Sequence, residues 1–335
     1  MPTDPPHERI VPVLLLMTAA YASGASAQVE RLDPALDALV PADAALERLA
    51  GDFEWSEGPA WRGSGGYLLF SDIPRNTVYR WQEGEGLSVF LRPAGYIGSD
   101  PAGRELGTNG LAFDAQDRLV MADHGNRQIA RLDESNYTRT TLADRFEGKR
   151  LNSPNDLVIH SSGDIYFTDP PYGLEGVERS PAKELDFSGV YRLSAAGELT
   201  VVARDLGFPN GIALSPDERI LYVAVSDPDN PVWMAYEVSS SGEVGGGRVL
   251  FDASALLREG RSGVPDGMTV DREGNLFASG PGGVLVIAPD GRHLGTILTG
   301  RATSNATFGD DGSALYITAD ADLLRVRLTT RGVGF

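Results

Sequence analysis

Short runs of alternating apolar and polar residues, each broken by a turn and then resumed, recur along this chain six times. "EGPAWRGSGGYLLFSDI" from Glu57 sets the pattern, and it returns in "NGLAFDAQDRLVMADH" from Asn109 and "NDLVIHSSGDIYFTDP" from Asn155. It returns again in "NGIALSPDERILYVAV" from Asn210, "DGMTVDREGNLFASG" from Asp266 and "NATFGDDGSALYITA" from Asn305. Period-two alternation on both sides of a turn rich in Asp, Gly, Ser or Pro predicts a β-hairpin in each copy. Further runs supply a third strand: "TVYRW" (77–81), "QIARL" (128–132), "GVYRL" (189–193) and "VLVIA" (284–288). Runs such as "LTVVA" (199–203) supply an outer fourth.

About four strands per unit, with unit starts roughly 40 to 55 residues apart, predict an all-β fold: a six-bladed β-propeller of antiparallel blades. The last copy reaches only a third strand at "LLRVRL" (323–328), so "ALERLA" (45–50) is expected to supply the missing one and close the ring without a free edge. A chain of 335 residues fits one such domain.

Composition narrows the picture. A net charge of -18 sets a field that repels nucleic acid phosphates and anionic lipid, leaving small molecules or cations as partners. With no cysteine, disulfides, thiolate metal sites, iron–sulfur clusters and cysteine nucleophiles are excluded. At the start, Arg9 precedes the apolar run "IVPVLLLMTAAYA" and the Ala25-Ser26-Ala27 site, an order that reads as a signal peptide over 1–27. The expectation is a periplasmic or secreted protein whose residues 28–335 form one propeller, detached from the membrane after cleavage. Ring closure makes a monomer the default.

In a propeller the innermost strands line a central channel, so the residues that open the six copies stand at equivalent places around one axis. They are Glu57, Asn109, Asn155, Asn210, Asp266 and Asn305, and each carries a side-chain oxygen. Asn and Asp are ordinary turn residues, but Glu is not, and six oxygens in register point to a metal or polar-ligand site. Carboxylate and amide oxygens without clustered His or Cys form a hard donor set that suits Ca2+ first, because calcium tolerates loose geometry, and then Mg2+ or Mn2+ ahead of Zn2+.

The segments "SEGPAW", "SPNDLVIHSSGDIYFTDPPYG", "FPNGIALSPD" and "VPDGMTVDREGNLF" resemble the SMP-30/gluconolactonase/LRE-like family, over roughly residues 46–328. The resemblance implies a six-bladed propeller that hydrolyses lactones, or organophosphates in some relatives, with a divalent metal held by Glu57, Asn155, Asn210 and Asp266. "MADHGNRQIARL" (121–132) and "TDPPYGL" (168–174) resemble the bacterial gluconolactonase branch, which implies a sugar lactone as substrate.

Lactone opening needs a base to take a proton from water, and Asp266 is the candidate. His124 is placed at the channel mouth as substrate ligand or proton shuttle, Asn109 and Arg127 as partners of sugar hydroxyls, and Tyr172 as a surface for the ring. His160 and His293 read as structural. The chain has no G-x-S-x-G elbow, and "GEVGGG" (242–247) lacks the strand-to-helix setting of a phosphate loop. Two other readings stay open: a non-catalytic propeller that binds sugars or partner proteins, and a strictosidine-synthase-like propeller that needs no such quartet.

Overall fold

The structure, a computed structural model, describes residues 25–26, 28–98 and 103–335. Six antiparallel sheets are arranged as the blades of a propeller. Blade I runs outward from Ser56–Arg62 through Tyr67–Asp72 and Thr77–Gln82 to Gly86–Leu91. Blade II comprises Thr108–Phe113, Leu119–Asp123, Gln128–Asp133 and Thr138–Ala143. Blade III comprises Leu157–Ile159, Ile165–Asp169, Gly189–Leu193 and Leu199–Ala203. Blade IV comprises Pro209–Leu214, Ile220–Val225, Val232–Val238 and Val244–Asp252. Blade V begins at Met268–Val270 and continues through Leu276–Gly280, Gly283–Ile287 and His293–Leu298.

Blade VI closes the ring as its sequence pattern requires. Thr303–Gly309, Ala314–Ala319 and Asp322–Arg327 come from the C-terminal end, and Ala45–Gly51 pairs antiparallel with Asp322–Arg327 as the fourth strand. Two blades carry more than the four strands expected. Gln28–Arg31 adds a fifth strand to blade V by pairing with His293–Leu298, and Ala25–Ser26 pairs with Leu46 and Ala45 in blade VI. The rest of the expected leader, residues 1–24 and 27, lies outside the described residues. Among the described residues no helix is long and apolar enough to cross a membrane.

The second strand of each blade is sandwiched between neighbouring sheets, and its sequence shows it. "YLLFSD", "ILYVAV" and "ALYITA" are nearly continuous apolar runs, buried at both parities, whereas the outer Gly86–Leu91 is largely exposed. Side chains of facing sheets interlock into separate cores. Phe277 and Val286 of blade V meet Phe308, Leu315 and Ile317 of blade VI, and this core is capped by Leu36 and Val40 of the N-terminal segment. Phe167 and Tyr191 of blade III stack at 5.2 Å and pack against Val120 and Ile129 of blade II.

Near the axis the inner strands approach too closely for ordinary side chains. The residue after each oxygen-bearing position is Gly in four copies: Gly58, Gly110, Gly211 and Gly267. A Cβ on Gly211 would stand 2.3 Å from the Asp266 carbonyl oxygen and 2.6 Å from the Gly267 Cα, atoms of the next blade's backbone that cannot swing aside. Gly211→Ala is therefore expected to destabilise the protein by about 1–3 kcal/mol through overpacking. Gly245→Ala, where a Cβ meets nothing within 4 Å, should change stability by less than about 0.5 kcal/mol. Chemical unfolding of both variants checks the contrast, and equal midpoints would refute the crowding at the axis.

Candidate active site

The opening residues of the copies are aimed by a local device that repeats from blade to blade. In blades I, II, IV and VI the pairing of the inner strand slips at or beside the oxygen-bearing residue: between Glu57 and Ala60, Thr108 and Leu111, Pro209 and Ile212, and Thr303 and Asn305. Such bulges take a residue out of the regular ladder and re-aim its side chain.

Small hydroxyl residues then tie each turn to a neighbouring blade. Ser71 of blade I donates to the Asn109 carbonyl at 2.8 Å, and Thr168 of blade III donates to the Asn210 carbonyl at 2.7 Å. Ser226 of blade IV donates to the Pro265 carbonyl at 2.5 Å, and Ser304 of blade VI donates to the Ser56 carbonyl at 2.7 Å. Each bond satisfies a buried carbonyl and fixes the backbone beside a site residue.

The result is a cavity of about 390 Å3 lined by Glu57, Asn109, His124, Asn155, Tyr172, Asn210 and Asp266, with Trp55, Ile73 and Val264 as apolar wall. Backbone and amide N–H groups orient the carboxylates. Gly58 N–H donates to Glu57 Oε2 at 2.9 Å and Gly267 N–H donates to Asp266 Oδ1 at 3.0 Å, and the side-chain amides of Asn305 and Asn210 bear on the Glu57 and Asp266 carboxylates in turn. Asn210 donates through Nδ2 to Ser226 Oγ at 3.0 Å, which orients its amide and leaves Oδ1 available. Asn109 Oδ1 is buried without a partner.

Like charges crowd this space. Burial pushes the Glu57 carboxyl up to about 8, with Asp156 and Glu105 adding to the effect. Burial and then the charges of Glu57 and Asp156 hold Asp266 well above the ordinary carboxylate range, and burial pushes Asp156 up to about 6. No Lys or Arg among the described residues pairs with Glu57, Asp156 or Asp266 within 4 Å. Among the described residues no three or more His, Cys, Asp or Glu form a metal-binding group. The donor set is instead mixed: two carboxylates and two amides around one cavity. That chemistry fits a hard divalent ion held by Glu57, Asn155, Asn210 and Asp266.

The structure separates some residues that the sequence grouped together. Asn305 is not a sixth donor. Its Oδ1 is taken by the Ala306 N–H at 2.8 Å, its Nδ2 reaches Asp156 Oδ2 at 3.4 Å, and it lines a second cavity of about 280 Å3 farther along the inner strands. Arg127 does not line the main cavity. It is buried with Nε donating to the Leu151 and Asn152 carbonyls at 2.7 and 3.0 Å, so it braces the loop that precedes "SPND".

Tyr172 does line the cavity, half-buried, with its ring stacked on Phe208 at 5.4 Å; burial raises its phenol pKa. Ser153 holds that loop in place, donating to the Pro170 carbonyl at 2.6 Å and accepting from Gly173 N–H at 2.9 Å. Sequence reasoning missed Glu105 and Arg104, which reach the cavity from the loop before blade II, and Asp156, the one acidic residue where four copies have Gly. The Asp in "PND" against Gly in "PNG" and "PDG" was a legible signal for Asp156. Nothing in the pattern pointed to Glu105.

These charges predict a pH dependence. In cation-free protein the folded state holds protons on Glu57, Asp156 and Asp266 at pH values where the unfolded chain has released them. Their contribution to stability is therefore present at low pH and lost as pH rises toward about 8. EDTA-treated protein should melt at a lower temperature at about pH 8.5 than at about pH 5.5, and added calcium should raise the melting temperature more at the higher pH, where no protons need displacing. Equal stabilisation by calcium at both pH values would show that these carboxylates do not hold it.

Known proteins with similar sequences and structures agree with this architecture. Residues 55–321 match the model of the SMP-30/gluconolactonase/LRE-like region. A gluconolactonase of Zymomonas mobilis is 42% identical over 317 residues, covering 91% of this chain and 87% of that one. A solved gluconolactonase of Xanthomonas campestris superposes with a TM-score of 0.79 at 35% identity, covering 92% of this chain and 98% of that one. A pentonolactonase of Haloferax volcanii is 27% identical, covering 78% of this chain and 80% of that one. With its six blades, its channel cavity and a family match over most of its length, this chain belongs to the SMP-30/gluconolactonase/LRE-like family.

Proposed function

We propose that this protein is a divalent-metal-dependent hydrolase that opens the ring of a sugar lactone of the gluconolactone type. The observation that carries the reading is the convergence of Glu57, Asn155, Asn210 and Asp266, from four different blades, on one cavity that also presents His124 and Tyr172. Relatives named gluconolactonase and pentonolactonase support a lactone of a sugar acid as substrate. A bound divalent ion, with calcium first, supplies Lewis-acid polarisation of the carbonyl and compensation of the oxyanion.

The chain's own groups do the rest. The Asp266 carboxylate, oriented by the Gly267 N–H on Oδ1, takes a proton from the attacking water. The water oxygen bonds to the acyl carbon, the acyl–ring oxygen bond breaks, and the ring oxygen leaves with a proton to give an open-chain hydroxy acid. Asn109 Oδ1 and His124 Nε2, both buried without partners, stand ready to accept substrate hydroxyls, and Tyr172 packs beside the ring. Trp55, Ile73 and Val264 limit bulk water. A scaffold without a bound ligand has no use for mutually repelling carboxylates beside Asp156, which cost stability unless protons or a cation neutralise them. The leader pattern supports export to the periplasm or beyond.

A panel of gluconolactone, other aldonolactones and an organophosphate ester, run with and without EDTA, tests the reading. Gluconolactone opening that is lost in EDTA and restored by calcium is expected, and preference for the organophosphate would replace the substrate class. Asp266→Asn keeps an oxygen for the metal but cannot take a proton, so kcat at saturating calcium should fall about 100- to 10,000-fold. His124→Ala should raise KM more than it lowers kcat. If Asp266→Asn turns over normally while His124→Ala is inactive, the base is His124.

A further inference from the structure

His124 follows the second strand of blade II, and its side chain is fully buried at the cavity wall. Its two ring nitrogens have different surroundings. Nδ1 lies 3.1 Å from Glu105 Oε2, while Nε2 is buried with no partner. An ionised carboxylate can only accept, so Nδ1 must supply the hydrogen, and a neutral imidazole then carries a bare lone pair on Nε2.

Glu105 is itself held. Its Oε1 lies 3.3 Å from Arg104 Nη2, and Arg104 is pinned to the loop of Tyr172 by Nε donating to the Tyr172 carbonyl at 2.9 Å and by N–H donating to the Gly173 carbonyl at 3.1 Å. The loop carrying Glu105 is thus bonded to the neighbouring loop that carries Tyr172, an attachment continued by the Gly103–Leu174 bridge. The backbone of that loop also packs on the histidine, since a Cβ on Gly173 would stand 3.3 Å from the His124 Cβ.

We infer that Glu105 is a positioning residue that fixes His124 as the Nδ1–H tautomer, so that Nε2 accepts a hydrogen bond from a ring hydroxyl of the substrate and selects polyhydroxylated lactones over unsubstituted ones. This rests on the lactonase reading above and specifies what part of that site recognises. A buried acceptor left bare by a substrate without the hydroxyl costs binding, which is the basis of discrimination at such sites. Carboxylates that orient histidines through Nδ1 act in the same way elsewhere in protein chemistry.

Two measurements test it. The first is the ratio of kcat/KM for glucono-δ-lactone over δ-valerolactone, which has the ring without the hydroxyls. Glu105→Ala should lower this ratio roughly tenfold, mainly through KM for the hydroxylated substrate. Glu105→Gln, whose amide oxygen can still accept from Nδ1–H, should keep it within about threefold of the parent. The second is 15N NMR of the imidazoles, tractable because the chain has 4 His, with His124→Ala giving the assignment. The parent should show a protonated Nδ1 and a bare Nε2, and Glu105→Ala should lose that preference.

A protonated, non-accepting Nε2 in the parent protein overturns the inference. So does a Glu105→Gln variant as impaired as Glu105→Ala, which would make the charge rather than the acceptor the relevant property, and so does an equal loss on both lactones. If the parent opens neither lactone the functional reading falls, and the NMR result, which needs no turnover, decides the claim about Glu105.

Discussion

Carboxylates forced together at the axis of the ring are the constraint around which this molecule is arranged. Glu57, Asp156 and Asp266 are each buried, and each is pushed toward its protonated form by burial, two of them also by the charges of the others. A fold driven by apolar burial alone would not collect such groups, since an unpaired buried charge opposes stability. Their presence requires that the backbone hold them there, and the rest of the architecture shows how it does so.

The holding is done by short-range bonds between blades rather than within them. Ser71, Thr168, Ser226 and Ser304 each bond a carbonyl of another blade's inner strand. The glycines at the axis let those strands come near enough for the bonds to form. Bulges in blades I, II and IV then turn Glu57, Asn109 and Asn210 out of the ladder toward the cavity. Adjacent blades are thereby bonded at the place where repulsion between site residues is greatest, and the interblade cores, such as Phe277 against Phe308 at 5.2 Å, supply the bulk of the attraction farther out.

Much of this was legible in the sequence because a propeller repeats. Six hairpins, the closing strand at 45–50 and the outward series of runs all follow from period and turn chemistry, and the described strands fall where those runs lie. What repetition could not show is how a residue in register turns its side chain. Asn305 has the same place in its copy as Glu57, yet the N–H of the following residue engages its only oxygen, whereas a carboxylate in the same bond keeps a second one. Arg127 sits beside the loop it braces, and only the three-dimensional path of residues 150–153 reveals that its Nε is committed to carbonyls. Glu105 and the strand Gln28–Arg31 were invisible for a simpler reason: both lie in segments outside the repeat, where no neighbouring copy sets an expectation.

Closure of the ring connects these levels. The residues facing the cavity come from blades I to V, while blade VI contributes the bonds from Ser304 to Ser56 and from Gly267 N–H to the Ser304 carbonyl, at 2.7 Å each. Blade VI is therefore the strut that sets blade I against blade V, and with them Glu57 against Asp266. Its fourth strand comes from Ala45–Gly51, just upstream of blade I, so the segment that joins the ring's two ends also bears on the spacing of Glu57 and Asp266. Arg48 of that strand pairs with Asp322 at 2.7 Å, and Ser56 Oγ donates to the Asp322 carbonyl at 3.0 Å, carrying the connection from the outer edge of blade VI to the residue before Glu57. The geometry of the site is in this sense a property of the closed ring, and any change that loosens the seam acts on the carboxylate pair without touching it.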